Sequence, residues 1–213
     1  GSSASLHYRH APSRYSTMHL VFDIFQGIGV AAAVGIRPFL PALVAGALAA
    51  GNVEIHFSHT DYSFLQSAPF LLILAVLAVV LVVAERRLAA SRLEGGPGAL
   101  LLGAAAVVLG ALFFAGSLCR GHYAVWPGFI GGVICAVIGV LATRPLFRRV
   151  RARLDQSAAA AVPLYAEAIG IALAGLSVVA PPVGVIGLGL LLWLLLAGRR
   201  RDGQKYAGLR ILK

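Results

Sequence analysis

The stretch "AAAVGIRPFLPALVAGALAA", residues 31–50, decides how the rest of the chain is read. It belongs to an apolar run from Leu20 to Ala50, yet it holds Arg37 directly before Pro38, with Pro41 close behind. A charge in a hydrocarbon core costs several kcal/mol unless it reaches water, a lipid head group or a partner. Each proline removes a backbone donor, so a straight helix through Arg37 is not expected. At about 1.5 Å per residue, Val21 to Ile36 covers about 24 Å, and a helix entering from the cytoplasm would leave Arg37 in the outer part of the bilayer. Phe39 to Ala50 is then too short to cross again. It either continues the span beyond a kink or lies as a re-entrant or interfacial helix.

The surrounding composition fixes the class. The chain has 213 residues, is 59% hydrophobic and 12% charged, and has a mean hydropathy of +0.87, whereas soluble domains are about 25% charged. Apolar runs of about 17 to 20 residues are long enough to span a bilayer. Six are read here: Leu20 to Ala50, Ala68 to Ala84, Gly98 to Leu118, Pro127 to Ala142, Ala158 to Ala180 and Pro182 to Ala197. The expected fold is an all-α polytopic membrane protein of about six transmembrane helices, the first broken by proline. Residues 20–197 form one transmembrane domain, between a flexible tail (1–19) and a basic tail (198–213). The opening residues have no apolar h-region and are not read as a signal peptide.

The net charge of +10 is explained by its distribution. Basic residues gather before the first span (Arg9, Arg14), between the second and third (Arg86, Arg87, Arg92), between the fourth and fifth (Arg144, Arg148, Arg149, Arg151, Arg153) and after the sixth. The intervening loops hold Arg120 alone. By the rule that basic loops stay cytoplasmic, both termini are expected inside, and a nucleic-acid partner is excluded. Sixteen arginines against two lysines suggest a GC-rich bacterium and hence its inner membrane. Cys119 and Cys135 offer neither a metal-ligand spacing nor a disulfide framework.

Two phrases are related: "VGIRPFLPALVAGAL" (34–48) and "LATRPLFRRVRARL" (141–154) each set Arg-Pro at the end of a helix. With the first span running outward and the fourth inward, they suggest a three-plus-three inverted repeat, an arrangement common in secondary transporters. Small residues four apart (Gly27, Ala31, Gly35; Gly128, Gly132, Ala136; Ala166, Gly170, Ala174) predict close helix contacts within a bundle or dimer. In "LFRRVRARL" (146–154), Leu146, Val150 and Leu154 share a stripe among arginines. This predicts either an interfacial helix whose Arg148, Arg149, Arg151 and Arg153 touch anionic head groups, or an ordinary basic loop.

Glu167, in "VPLYAEAIGIALAGL" (162–176), is the second costly residue, about 13 Å along its helix from Ala158. Asp23, near the start of the first span, is expected to reach cytoplasmic water. Arg37 and Glu167 are natural partners, since an opposite charge within about 4–6 Å keeps both ionised. They form either a bundle-stabilising ion pair or a solute, ion or proton site. The loop "NVEIHFSHTDYSFL" (52–65) offers His56, His59 and Asp61, donors suited to zinc or another divalent ion but at a spacing that matches no specific motif. The alternative is a solvated polar loop. No nucleophile triad, phosphate loop, nucleotide fingerprint or catalytic carboxylate pair is present in the sequence pattern, and no cofactor is implied.

At "GIGVAAAVGIRPFLPALVAGALAA" (27–50) and "YAEAIGIALAGLSVVAPPVGV" (165–185), the chain resembles an uncharacterised bacterial membrane family, the domain of unknown function 4126. With "FLQSAPFLLILAVLAVVLVVAE" (64–85), the resemblance covers most of the chain from Asp23 to Leu196. The family motif puts its arginine at Arg37 and its glutamate at Glu167, and it implies no established activity. An acidic segment frequent in the family between spans two and three is replaced here by "ERRLAASRLEGGPGAL" (85–100). The leading expectation is a small-solute or ion permease with a site at Arg37, Pro38, Pro41 and Glu167. The alternatives are a non-catalytic scaffold or assembly subunit and a metal-dependent enzyme at the outer interface. Lipids, with a homodimer or partner membrane subunits, are the expected partners.

Overall fold

The structure, a computed structural model, describes residues 14–51, 53, 57, 60–87, 96–120 and 123–208, with the backbone alone for 14–17, 156 and 201–208. The described elements are helical: α1 (Arg14–Ile36), α2 (Phe39–Ala50), a 3-10 turn (Ser63–Gln66), α3 (Ala68–Arg87), α4 (Gly96–Arg120), α5 (Trp126–Arg151), α6 (Gln156–Ala159), α7 (Val162–Val179) and α8 (Pro181–Gly208). Six helical stretches are long and apolar enough to cross a membrane, with α2 as a shorter apolar helix. The chain is an all-α, multi-pass integral membrane protein.

The first break falls where the prolines require it. The Arg37 N–H still donates to Ala33 O at 3.2 Å, closing α1. Pro38 has no N–H to continue the ladder and becomes the N-cap of α2. Pro41 lies in the first turn of α2, where a backbone donor would have no helical partner anyway. The chain then turns back. Pro41 meets Gly170, and Gly46 meets Leu71 and Phe113, so α2 runs antiparallel to α1 into the bundle. Phe57 and Leu65 of the following segment are fully buried beside Gly116, near the far end of α4. Neither a kinked continuation nor a surface helix describes α2: it folds back into the bundle antiparallel to α1, and Phe57 and Leu65 anchor the segment after it at the far end of α4.

Glycine contacts fix the direction of each helix. Gly27 packs on Phe114 and Gly110 on Ala31, which makes α1 antiparallel to α4. Gly128 meets Ala115 and Gly132 meets Ala111, which makes α5 antiparallel to α4 and therefore parallel to α1. The expected inverted repeat needs these two helices opposed. Moreover, α1 packs closely on α7, whereas the counterpart of that contact under the repeat, α5 on α3, is not among the substantial helix contacts of the described residues. Pro145 also differs from Pro38, because α5 runs unbroken through it to Arg151. The segment expected as an interfacial helix is thus largely the last turns of α5.

Two ends of the bundle follow. Arg86, Arg144, Arg148, Arg149 and Arg199 lie at the end where α1 stops and α3, α5 and α8 arrive. Arg120 lies at the other, where its guanidinium pairs with Asp23 near the start of α1. Asp23 is therefore not a water-reaching residue beside the arginine-rich end: it is 3% exposed and tied to the opposite one. The start of α1 and the end of α8 sit at opposite ends of the bundle, whereas the charge pattern placed both tails on one side. The difference arises because α2 adds a return pass. α1 itself begins at Arg14, within the segment expected as a tail.

Candidate functional site

Where α1 stops, Arg37 is held among α3, α5 and α7. Its Nη1 donates to Glu85 Oε1 in a direct ion pair, and its Nε lies 3.8 Å from Glu167 Oε1. The three side chains are 11%, 16% and 9% exposed, so they meet with little water between them. One guanidinium thus faces two carboxylates. Glu167 Oε2 is buried with no hydrogen-bond partner, an arrangement that costs free energy unless a proton or a donor completes it.

The positions of these groups follow from local chemistry. The Arg37–Pro38 break places Arg37 outside helical backbone. Pro41 then seats against Gly170, where an added Cβ would come within 2.8 Å of the ring, bringing α2 onto α7 one turn from Glu167. Glu85 lies in the last turn of α3, beside Arg86 and Arg87. Thr143 turns its hydroxyl to Gly139 O at 2.7 Å, and Arg144 donates to Ala99 O at 2.5 Å, tying α5 to the start of α4.

The cluster borders a cavity of about 830 Å³. Arg37, Arg86, Arg144, Arg148 and Arg151 line it with Glu85 and Glu167, so positive charge exceeds negative by three. Leu81, Leu102, Ala106, Val140 and Ile171 form apolar wall. Its volume lies in the range of small-molecule sites, which are mostly apolar with a few convergent polar groups.

Arg37, Pro38 and Glu167 therefore line one cavity, and Pro41 supports it from α2. Glu85 was not anticipated as Arg37's partner. Its place beside two arginines reads as the solvated end of a span, and Arg37 was expected at the opposite depth. Arg148 and Arg151 line the cavity, Arg149 approaches Gly198 of α8 with Nη1 3.6 Å from where a Cβ would stand, and Arg153 is exposed. His56 and His59 lie outside the described residues, while Asp61 is exposed. No group of three or more His, Cys, Asp or Glu side chains capable of holding a metal occurs among the described residues.

The sequence profile of the domain of unknown function (DUF4126) matches residues 24–201. The chain belongs to the DUF4126 family. No curated protein and no solved structure matches it. Within this DUF4126 chain the match spans both costly charges, Arg37 and Glu167, together with Glu85 and the cavity they share.

Proposed function

We propose that this DUF4126 protein is a small-solute or ion permease of the bacterial inner membrane, with its arginine-rich end in the cytoplasm. The observation that carries the reading is the Arg37–Glu85–Glu167 cluster, buried at a helix break and bordering a cavity that reaches the arginine-rich end. Ionisable groups within membrane spans are expensive and concentrate on solute, ion and proton paths, and transporter sites form where helices are interrupted. Arg37 organises the site, and the unpaired oxygen of Glu167 accepts a proton, a cation or a donor from the solute. The scaffold alternative predicts a solid bundle, which a cavity of about 830 Å³ does not favour.

The test is flux in proteoliposomes loaded with a pH-sensitive dye and challenged with a pH step and with panels of organic acids, cations and sugars. Flux above that of protein-free liposomes is expected, with loss in Arg37→Gln and Glu167→Gln proteins that still elute as folded species. Flux no greater than in protein-free liposomes, or unchanged in both variants, overturns the reading. A stoichiometric copurifying subunit in the absence of flux would favour the scaffold.

A further inference from the structure

We infer that the cavity takes an anionic amphiphile, a single acidic head such as a phosphate on an apolar body. The inference rests on the permease reading and supplies its substrate class.

Three observations converge. First, the charges are unevenly placed along the helix axes. On α5, Arg148 lies about 12 Å beyond Val140 at 1.5 Å per residue, and on α4 Ala106 lies about 15 Å in from Gly96. The arginines of α3 and α5 thus stand toward the mouth, and the apolar residues lie deeper. A solute matching this polarity carries its negative charge at one end and hydrocarbon at the other.

Second, Arg86 and Arg148 have no ion-pair partner among the described residues, whereas Arg37 is already engaged by Glu85 and Glu167. The charges of Arg86 and Arg148 are therefore available to a ligand rather than consumed by the cluster. Guanidinium groups match the geometry of phosphate and carboxylate oxygens, and charge-assisted hydrogen bonds of this kind are strong. An inorganic anion would satisfy the mouth but leave the deeper apolar volume unfilled.

Third, α3 packs mainly against α2 and the 3-10 turn, and any contact with α4, α5 or α7 among the described residues is sparse. Its inner half nevertheless lines the cavity through Leu81, Val82 and Glu85. The cavity is thus bordered by an unsealed seam between helices, a route by which an apolar tail enters from the bilayer while its head stays with the arginines. The same chemistry is offered by a membrane lipid and by a soluble amphiphilic acid.

The test uses the full chain in phosphatidylcholine nanodiscs and labelled octyl phosphate, with octanol and inorganic phosphate as competitors. Saturable binding above empty nanodiscs is expected, with octyl phosphate competing far better than either fragment. Arg148→Gln is expected to weaken it about tenfold, the equivalent of about 1.4 kcal/mol. Arg153→Gln, at the same end but outside the cavity lining, should leave it unchanged. Nanodiscs containing phosphatidylglycerol separate the sources: displacement of octyl phosphate by the lipid marks a lipid head group as occupant, and undiminished binding marks a soluble acid, either of which supports the shared chemistry. The inference is overturned by non-saturable binding, by inorganic phosphate competing equally, or by equal losses in both arginine variants. If it fails while dye-reported flux persists, the substrate class alone is wrong. If flux is absent as well, the permease reading falls with it.

Discussion

At the scale of single residues, the cost of Arg37 is met by two carboxylates from different helices. A buried ion pair gives little net stability when compared with apolar packing, but removing one partner leaves the other charge stranded. Arg37→Gln is therefore expected to lower unfolding stability by about 3–5 kcal/mol, because both Glu85 and Glu167 lose their cation. Glu85→Gln should cost less, since Arg37 keeps Glu167. The double variant Arg37→Gln/Glu85→Gln should be more stable than the sum of the singles predicts, by a coupling of about 0.5–3 kcal/mol. Denaturation in mixed micelles followed by circular dichroism measures all three, and strict additivity would mean that the two groups do not share an environment. The need for a partner was legible at Arg37 and Glu167 because a charge amid apolar residues announces its own cost. Glu85 carried no such signal: "AERR" (84–87) reads as a span ending in water, and its role depends on where α1 delivers Arg37.

At the scale of elements, small residues decide which helices touch. An added Cβ at Gly132 would stand 2.6 Å from Ala111 Cα, and one at Gly139 would stand 2.9 Å from Gly35 Cα. The obstacles are backbone atoms, which cannot move as a flexible side-chain end would. Gly132→Val is expected to destabilise the bundle by about 1–3 kcal/mol or more, read as a lowered thermal unfolding midpoint. Gly189 of α8 faces open space, so Gly189→Ala should be neutral or stabilising by up to about 1 kcal/mol. A similar loss at both positions would show that spacing, rather than contact, sets the requirement for glycine. The ladders were legible because small residues four apart mark close approach whichever helix supplies the partner. The partners and their directions were not, since the pattern is symmetric with respect to parallel and antiparallel packing. The two Arg-Pro phrases mislead for a related reason. Pro38 is followed by a second proline within the first turn of α2, whereas Pro145 is followed by Leu146, Phe147 and Arg148, which carry α5 onward.

At the scale of the whole molecule, one return pass sets the end of the bundle at which α1 begins relative to the end of α8. Counting α2 with the segment that joins it to α3 as a crossing gives seven passages, an odd number, and the Asp23–Arg120 pair independently anchors the start of α1 at the end opposite Arg148. Charge counting could not see this, because it weighs the arginines before the first span without knowing how often the backbone turns between them and the next basic cluster. If the arginine-rich end lies in the cytoplasm, as proposed above, the start of α1 faces outward and the end of α8 faces inward. Epitope tags before Arg14 and after Lys213 test this directly. Protease added to spheroplasts with intact inner membranes should cut the first tag and spare the second, which becomes accessible on lysis. Cleavage of neither tag before lysis would require α2 and its loop not to complete a crossing, or α1 to enter from the other side. Because Gly27 packs on Phe114 and Gly110 on Ala31, reversing α1 would exchange those contacts and separate Asp23 from Arg120, carrying Arg37 away from Glu85 and Glu167. Sidedness and site assembly therefore stand or fall together. Glu167→Gln, which alters the site without altering the crossings, should leave the cleavage pattern unchanged and thereby distinguish a misplaced helix from a disabled site.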